Sequence, residues 1–344
     1  MKFLDREQWL YLGNVIMSRW VNSGKDITAY DPKNILCIKW DEIGDMATCL
    51  HVFSLLRKRY PNAEIDVITK PYSAPLLFGN VDINNVYTDL KKWNKKYDIL
   101  VELRGTRSTL WKTLKYYPKV RLDRGIVRLR HRGNQLHETQ TNFEIIKPIL
   151  NDLPFEKPQL KIPEKSKSEV DYFISQNKLG KYAIIHAGAR RELRRWGAPK
   201  FAALCQWLHD SKGLQLVFAG IEEEEKQISE ITDKLTCNYV LFTKNHDLMC
   251  LAALMQKAQI FIGNESGPLQ IADVVGTPLI GLFGPGVPNV FYPQGENSRI
   301  VHHVLDCNPC DQLHCVRPTD TCMDKIELAE LKVLVDQILA TTGS

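Results

Sequence analysis

A chain of 344 residues has room for two domains, each with its own core. Hydrophobic residues make up 44% and charged residues 25%, ordinary values for a folded globular protein, which excludes wholesale disorder and collagen-like or coiled-coil architecture. The formal charge is only +5, and no apolar run reaches the roughly 18 residues that a membrane span needs.

At the N-terminus Asp5, Arg6 and Glu7 interrupt any apolar stretch, so no signal peptide is expected. With nine cysteines in so long a chain, that points to a reducing cytoplasm rather than a disulfide scaffold. Residues 1–33 carry Leu4, Trp9, Leu12, Val15, Ile16 and Trp20, an amphipathic helical extension. It is expected either to pack on the protein's own surface or to touch a membrane interface.

The first strand is read at Asn34–Trp40, followed by the turn Asp41–Asp45 and a helix from Met46 to Arg59 that Pro61 stops. Further strands are read at Glu64–Thr69 and Tyr97–Leu103, which is βαβ grammar over residues 34–150. Residues 91–133 hold fourteen Lys/Arg against three acids, a cationic band on an otherwise net-negative chain. The band is either a solvated face or a surface for an anionic partner. No stacking or groove-reading motif accompanies it, so nucleic acid is not expected as that partner.

Pro148, Pro154, Pro158 and Pro163, interleaved with Lys and Glu, mark residues 151–178 as a connection. Residues 179–344 repeat the grammar more regularly. Strands are read at Tyr182–His186, Leu214–Ala219, Tyr239–Phe242, Ile260–Gly263 and Pro278–Phe283. Helices are read between them at Lys200–His209, Glu222–Leu235, Asp247–Lys257 and Leu269–Val275.

Open α/β sheets bind ligands beyond the carboxyl ends of their strands, which brings three loops into view. In Asp41–Asp45, Gly44 permits a sharp turn and Asp45 stands near a helix start. There it either caps the helix or serves as a general base toward a hydroxyl. In His186–Trp196, Gly188 and Ala189 allow close approach to the backbone, and Arg190, Arg191, Arg194 and Arg195 offer guanidinium forks suited to phosphate. In Gly263–Pro268, Ser266 and Gly267 open a helix whose free N–H groups suit a diphosphate, with Glu265 beside them for sugar hydroxyls. No phosphate loop, dinucleotide fingerprint or H-E-x-x-H zinc motif is present.

Taken together, these segments resemble glycosyltransferase family nine, the lipopolysaccharide heptosyltransferases. Ile35–Asp45 is similar to the family's opening strand and Gly-Asp turn, and His186-Ala-Gly-Ala189 with Arg194–Trp196 is similar to its donor-phosphate segment. Phe261–Gln270 and Gly281–Pro285 are similar to its later signatures.

The resemblance implies a GT-B fold, two Rossmann-like domains facing across a cleft, with the acceptor on the first and a nucleotide-sugar donor on the second. It implies inverting transfer of heptose from ADP-heptose to an inner-core glycolipid, without an obligatory divalent metal. Asp45 would be the catalytic base. Gly188, Ala189, Arg194, Ser266 and Gly267 would hold the diphosphate, Glu222 the ribose, His246 the base and Glu265 the sugar. Arg104, Arg107 and Arg124 in the cationic band are candidates for an anionic acceptor, with peripheral contact at the inner membrane.

Two positions depart from the family pattern: Glu265 stands where many members have Asp, and Gln270 where His is common. They motivate an alternative donor, another nucleotide hexose. A non-catalytic anion-binding module is the alternative of a different class.

Cys307, Cys310, Cys315 and Cys322 fall within sixteen residues, close to His302, His303 and His314. They form either a structural zinc or iron site, as cysteine clusters do in some relatives of this family, or a set of reduced thiols.

Overall fold

The computed structural model describes residues 6–89, 95–113, 116–132, 134–244, 246–310, 312–317 and 319–342. Leu4, Lys91, Lys92 and Lys115, together with the side chains of Trp9 and Arg107, lie outside the described residues. The chain forms two compact units, residues 1–161 and 162–344.

The first unit begins with α1 (Arg6–Asn22). The apolar run Asn34–Lys39 forms β1, buried along almost its whole length as expected of a central parallel strand. The helical pattern after it divides into α2 (Ile43–Ala47) and α3 (Leu50–Arg59). The remaining elements are β2 (Glu64–Thr69), β3 (Asn85–Tyr87), β4 (Ile99–Glu102), α4 (Arg107–Thr113), β5 (Val120–Asp123), α5 (Arg124–Arg130) and α6 (Glu138–Ile146). The sheet is parallel with strand order β3-β2-β1-β4-β5.

The amphipathic extension packs on this unit. Asn14, Val15 and Ser18 of α1 are buried, while Ile16 and Trp20 remain 59% and 74% exposed on its outer face.

The second unit begins with α7 (Glu164–Gln176), inside the span expected to be an irregular connection. Pro163 precedes the first turn, where a proline does not interrupt helical hydrogen bonds, and Val170 is buried as the helix packs on α10 (Leu248–Gln256). There follow β6 (Tyr182–His186), α8 (Ala198–Lys212), β7 (Gln215–Ala219), α9 (Glu225–Thr232) and β8 (Tyr239–Phe242). Beyond α10 come β9 (Ile260–Asn264), α11 (Gly267–Val274), β10 (Leu279–Phe283), α12 (Pro288–Phe291), β11 (Ser298–His302) and α13 (Leu328–Thr342). The parallel order is β11-β10-β9-β6-β7-β8. Among the described residues no helix is long and apolar enough to cross a membrane.

Each unit has the nucleotide-binding strand order, which reverses between β1 and β4 in the first and between β6 and β9 in the second. At such a reversal the two crossover helices diverge and leave a crevice beyond the strand ends.

Close packing of β6 on β9 depends on Gly263. A Cβ there would stand 2.7 Å from the His186 carbonyl oxygen and 3.1 Å from the Phe261 ring. Gly263→Ala is therefore expected to destabilise the second unit by about 1–3 kcal/mol, because backbone rather than a flexible side chain must yield. Urea unfolding followed by tryptophan fluorescence measures the loss.

Candidate functional site

At the reversal of the first sheet, the end of β1 carries a charge rare in a strand interior. Lys39 is fully buried, and its ammonium lies 3.2 Å from Glu138 and 3.6 Å from Asp41. Burial alone would lower its proton affinity, but Glu138 and Asp41 outweigh that and raise it. Glu138 opens α6 and accepts from Arg124, with one contact at 2.7 Å, and from Arg128 at 3.0 Å. Burial pushes this carboxyl up, but Arg124 and Lys39 overcome it and hold the group well below the usual carboxylate range. Arg104, directly beyond β4, pairs with Asp41 and keeps its side chain 40% exposed.

Asp45 stands in the first turn of α2 among these charges. Capping does not explain it. Asp41 accepts the Glu42 N–H at 3.1 Å, while the Asp45 carboxylate makes no hydrogen bond among the described residues. Burial raises the Asp45 carboxyl first and the negative charge of Asp41 adds to it; Lys39 and Arg124 pull the other way, leaving it at about 7. A carboxylate poised near neutrality, half-buried and without a partner, suits a general base.

Of the three arginines expected to face an anionic ligand, Arg104 is paired with Asp41 through one nitrogen and keeps its side chain 40% exposed. Arg124 is buried and spends its guanidinium on Glu138, so it orients the cluster. Arg107 opens α4, and its side chain lies outside the described residues.

In the second unit the reversal brings the β6 and β9 loops together. Asn264 joins them, donating to the Ala187 carbonyl at 2.7 Å and accepting the Trp196 N–H at 3.1 Å. The buried His186 lies 3.4 Å from the Ser266 hydroxyl and 3.6 Å from Glu224. A Cβ on Gly188 would fall 1.8 Å from a Glu224 oxygen, so the glycine lets the Glu224 carboxylate lie against this turn. Arg195 donates to the Ala189 carbonyl at 3.0 Å, and Ser266 and Gly267 open α11. Gly188, Ala189, Arg194, Glu265, Ser266 and Gly267 thus occupy one strand-end region.

Arg194 lies 3.2 Å from Glu265 and donates to Gln312 at 2.6 Å. Burial raises the Glu265 carboxyl and Arg194 opposes it, with a net rise; its other oxygen is buried without a hydrogen-bond partner. Glu265 therefore serves Arg194 here. Gln270 donates to the Phe291 carbonyl at 2.7 Å, a structural link to α12.

Glu222 and His246 follow β7 and β8. Glu222 is exposed and 3.6 Å from Lys244, while His246 stacks on Phe242 with ring centroids 3.9 Å apart. Glu224, two residues beyond Glu222, is the carboxylate that reaches the Gly188 loop.

The four clustered cysteines line one cavity of about 300 Å³ together with Arg195 and Met323. Among the described residues no three His, Cys, Asp or Glu side chains are gathered as a metal requires. His302 and His303 are engaged elsewhere, with the Gly284 carbonyl and with Glu330. In this arrangement the four thiols are free and not gathered as a metal centre, and the two alternatives, a structural zinc or iron site and a set of reduced thiols, both remain as expectations. Its link to the site is through Gln312, whose N–H lies 3.4 Å from the Cys310 sulfur.

Sequence reasoning missed Lys39, Asp41, Glu138 and Glu224. Lys39 left a signal, a lone charge in an apolar strand; Glu138 left none, being 99 positions away from its partner.

Comparison with known proteins gives concordant findings. Residues 122–319, more than half of the chain, match the family described as glycosyltransferase family 9 (heptosyltransferase). Lipopolysaccharide heptosyltransferase 3 of Escherichia coli is 26% identical, over 88% of this chain and 98% of that protein. A family 9 glycosyl transferase from Veillonella parvula has the same fold, with TM-score 0.78 and 17% identity over 92% of this chain and 100% of that one. The E. coli ADP-heptose lps heptosyltransferase II gives TM-score 0.71 and 20% identity over 90% and 100%.

Proposed function

This chain belongs to glycosyltransferase family 9, the heptosyltransferase family, with a GT-B fold, and from that membership we propose that it moves a heptose from ADP-heptose to a lipopolysaccharide inner-core acceptor with inversion. The observation that carries the proposal is Asp45, an unbonded carboxylate at the strand-order reversal, shifted to about 7 among paired charges.

In this reading Asp45 takes the proton of an acceptor hydroxyl as that oxygen attacks the anomeric carbon. The bond from that carbon to the diphosphate breaks, and ADP leaves with the electron pair. Arg194 and the amides opening α11 meet the charge that grows on the diphosphate, which is transition-state stabilisation by oriented groups. Arg104 receives an anionic substituent of the acceptor. Ile16, Arg19 and Trp20 on the outer face of α1 support peripheral contact at the cytoplasmic face of a membrane, where a glycolipid acceptor resides.

Incubating the purified protein with ADP-heptose and a heptose-deficient inner-core acceptor tests this. The expected result is an acceptor heavier by one heptose and stoichiometric ADP; turnover of a UDP- or GDP-hexose in its place would transfer the proposal to another donor. Arg194→Ala is expected to weaken ADP binding about tenfold by removing a charge-assisted contact. It also leaves Glu265 buried without its cation, so stability falls with it. Adding Glu265→Gln should restore the melting temperature and leave ADP affinity low, a pair of outcomes that calorimetry and thermal melting separate.

A further inference from the structure

Helix α1 lies outside the strand–helix alternation, yet its inner face reaches the strand ends that surround Asp45. Asn14, fully buried, donates from one amide nitrogen to the Gly105 carbonyl at 2.8 Å and the Thr106 carbonyl at 3.1 Å. Its oxygen accepts from Arg121 of β5 at 2.9 Å. Asn22 satisfies the free edge of that same strand, donating to the Arg121 carbonyl at 2.7 Å and accepting its N–H at 2.9 Å. Two such amide links pin the helix to β5 and to the turn after β4.

Tyr11 lies over both turns. A Cβ on Gly125 would stand 2.9 Å from Tyr11 Cβ, and one on Gly105 would stand 3.6 Å from the edge of its ring. Gly105 and Gly125 directly follow Arg104 and Arg124, so these two glycines admit the Tyr11 side chain against the backbone beside both positions, its ring at Gly105 and its Cβ at Gly125. Gly105 also has φ +68°, a left-handed conformation that the turn requires. Tyr11 is half-buried, with part of its surface open to solvent.

We propose that helix α1 forms one wall of the acceptor site: Tyr11 contacts the acceptor sugar, and Asn14 is a positioning residue that fixes the Gly105–Thr106 turn and with it Arg104. A half-buried tyrosine over the turn that carries Arg104 suits a phosphorylated or carboxylated sugar, offering a flat apolar face to the ring and a hydroxyl to its polar edge. The inference rests on the acceptor reading given above.

The probe is a deacylated, phosphorylated inner-core oligosaccharide, titrated calorimetrically against the full chain with ADP titrated in parallel. Asn14→Asp keeps the acceptor for Arg121 and loses both donors to the turn; Tyr11→Ala removes the wall and Tyr11→Phe removes only its hydroxyl. Asn14→Asp and Tyr11→Ala are expected to bind the oligosaccharide about tenfold more weakly, with ADP affinity within about twofold of wild type. Acceptor KM should rise while kcat holds, and Tyr11→Phe should fall between.

Variants that bind the oligosaccharide as wild type does would overturn the proposal, as would a parallel loss of oligosaccharide and ADP binding, the mark of general structural support. If Asn14→Asp does not fold, the two Tyr11 variants decide alone. A wild-type chain that binds ADP and not the oligosaccharide removes the acceptor reading itself, and this inference with it.

Discussion

Asp45→Asn is expected to lower turnover by about 10³-fold while ADP affinity is unchanged, the signature of a lost general base. Asparagine keeps the shape of the side chain and cannot accept the proton. The wild-type pH profile should carry the same information. The base works only when ionised, so kcat/KM should rise through about pH 7 and level off above it, following the raised carboxyl. In the variant that rise should vanish.

Stability should run the opposite way. The Asp45 carboxyl has its ordinary value of 3.8 raised to about 7 in the fold, so the folded state binds its proton more tightly than the unfolded chain. The cost of holding it ionised therefore builds between those values and is complete above about 7. At pH 8 Asp45→Asn should melt at or above the wild-type temperature. Unchanged turnover in the variant would remove Asp45 from the mechanism, whatever else the protein does.

Glu138→Gln is expected to produce the largest loss of stability, about 3–5 kcal/mol, because one buried carboxylate answers Lys39, Arg124 and Arg128 together. Removing its charge takes from Lys39 and Arg124 their strongest countercharge inside the unit. The linkage sign is that of a depressed carboxyl. The contribution is whole above the ordinary carboxylate range and is lost only as pH falls through the much lower folded value. The part of the deficit that comes from Glu138's own titration should thus persist through neutral pH in denaturant titrations and be lost only in strong acid, on top of a slope near neutrality from the shifted Asp45.

A second consequence reaches the site. Glu138 is one of the negative charges that raise Asp45, and Lys39, Arg124 and Asp41 are the other charges acting on it. With Glu138 neutral, the pH at which activity rises should move below 7. An unmoved profile would separate the buried network from the base.

The elements legible in the chain were those with continuous apolar runs. β2 and β6 coincide with their expected spans, because strands buried on both faces carry that pattern. β3, β5 and β11 escaped: β3 is three residues long, and Arg121 and Arg299 interrupt the other two. Each is a short or edge strand whose pairing is set by its neighbour rather than by its own residues. α7 escaped for a related reason, since prolines around it read as a connection while its buried face becomes apparent only against α10.

By itself the sequence determined the two-unit α/β plan, the glycine-bearing turns after β1, β6 and β9, and Asp45 and the four arginines of the β6 turn as candidates, among which the family resemblance singled out Arg194. These follow from local rules, in which apolar periodicity, turn chemistry and strand-end position act within a few residues. Only the tertiary structure decided that Asp45 caps nothing, that Arg124 is consumed by Glu138, that Glu224 rather than Glu222 meets the Gly188 loop, and that α1 reaches the turns beside Arg104. Those outcomes are pairings between residues far apart in the chain or outside any periodic pattern, from 14 positions for Arg124 with Glu138 to 99 for Lys39 with Glu138. A buried charge or amide takes the partner that the fold brings within 3 Å or so, and no periodicity in the chain encodes that choice.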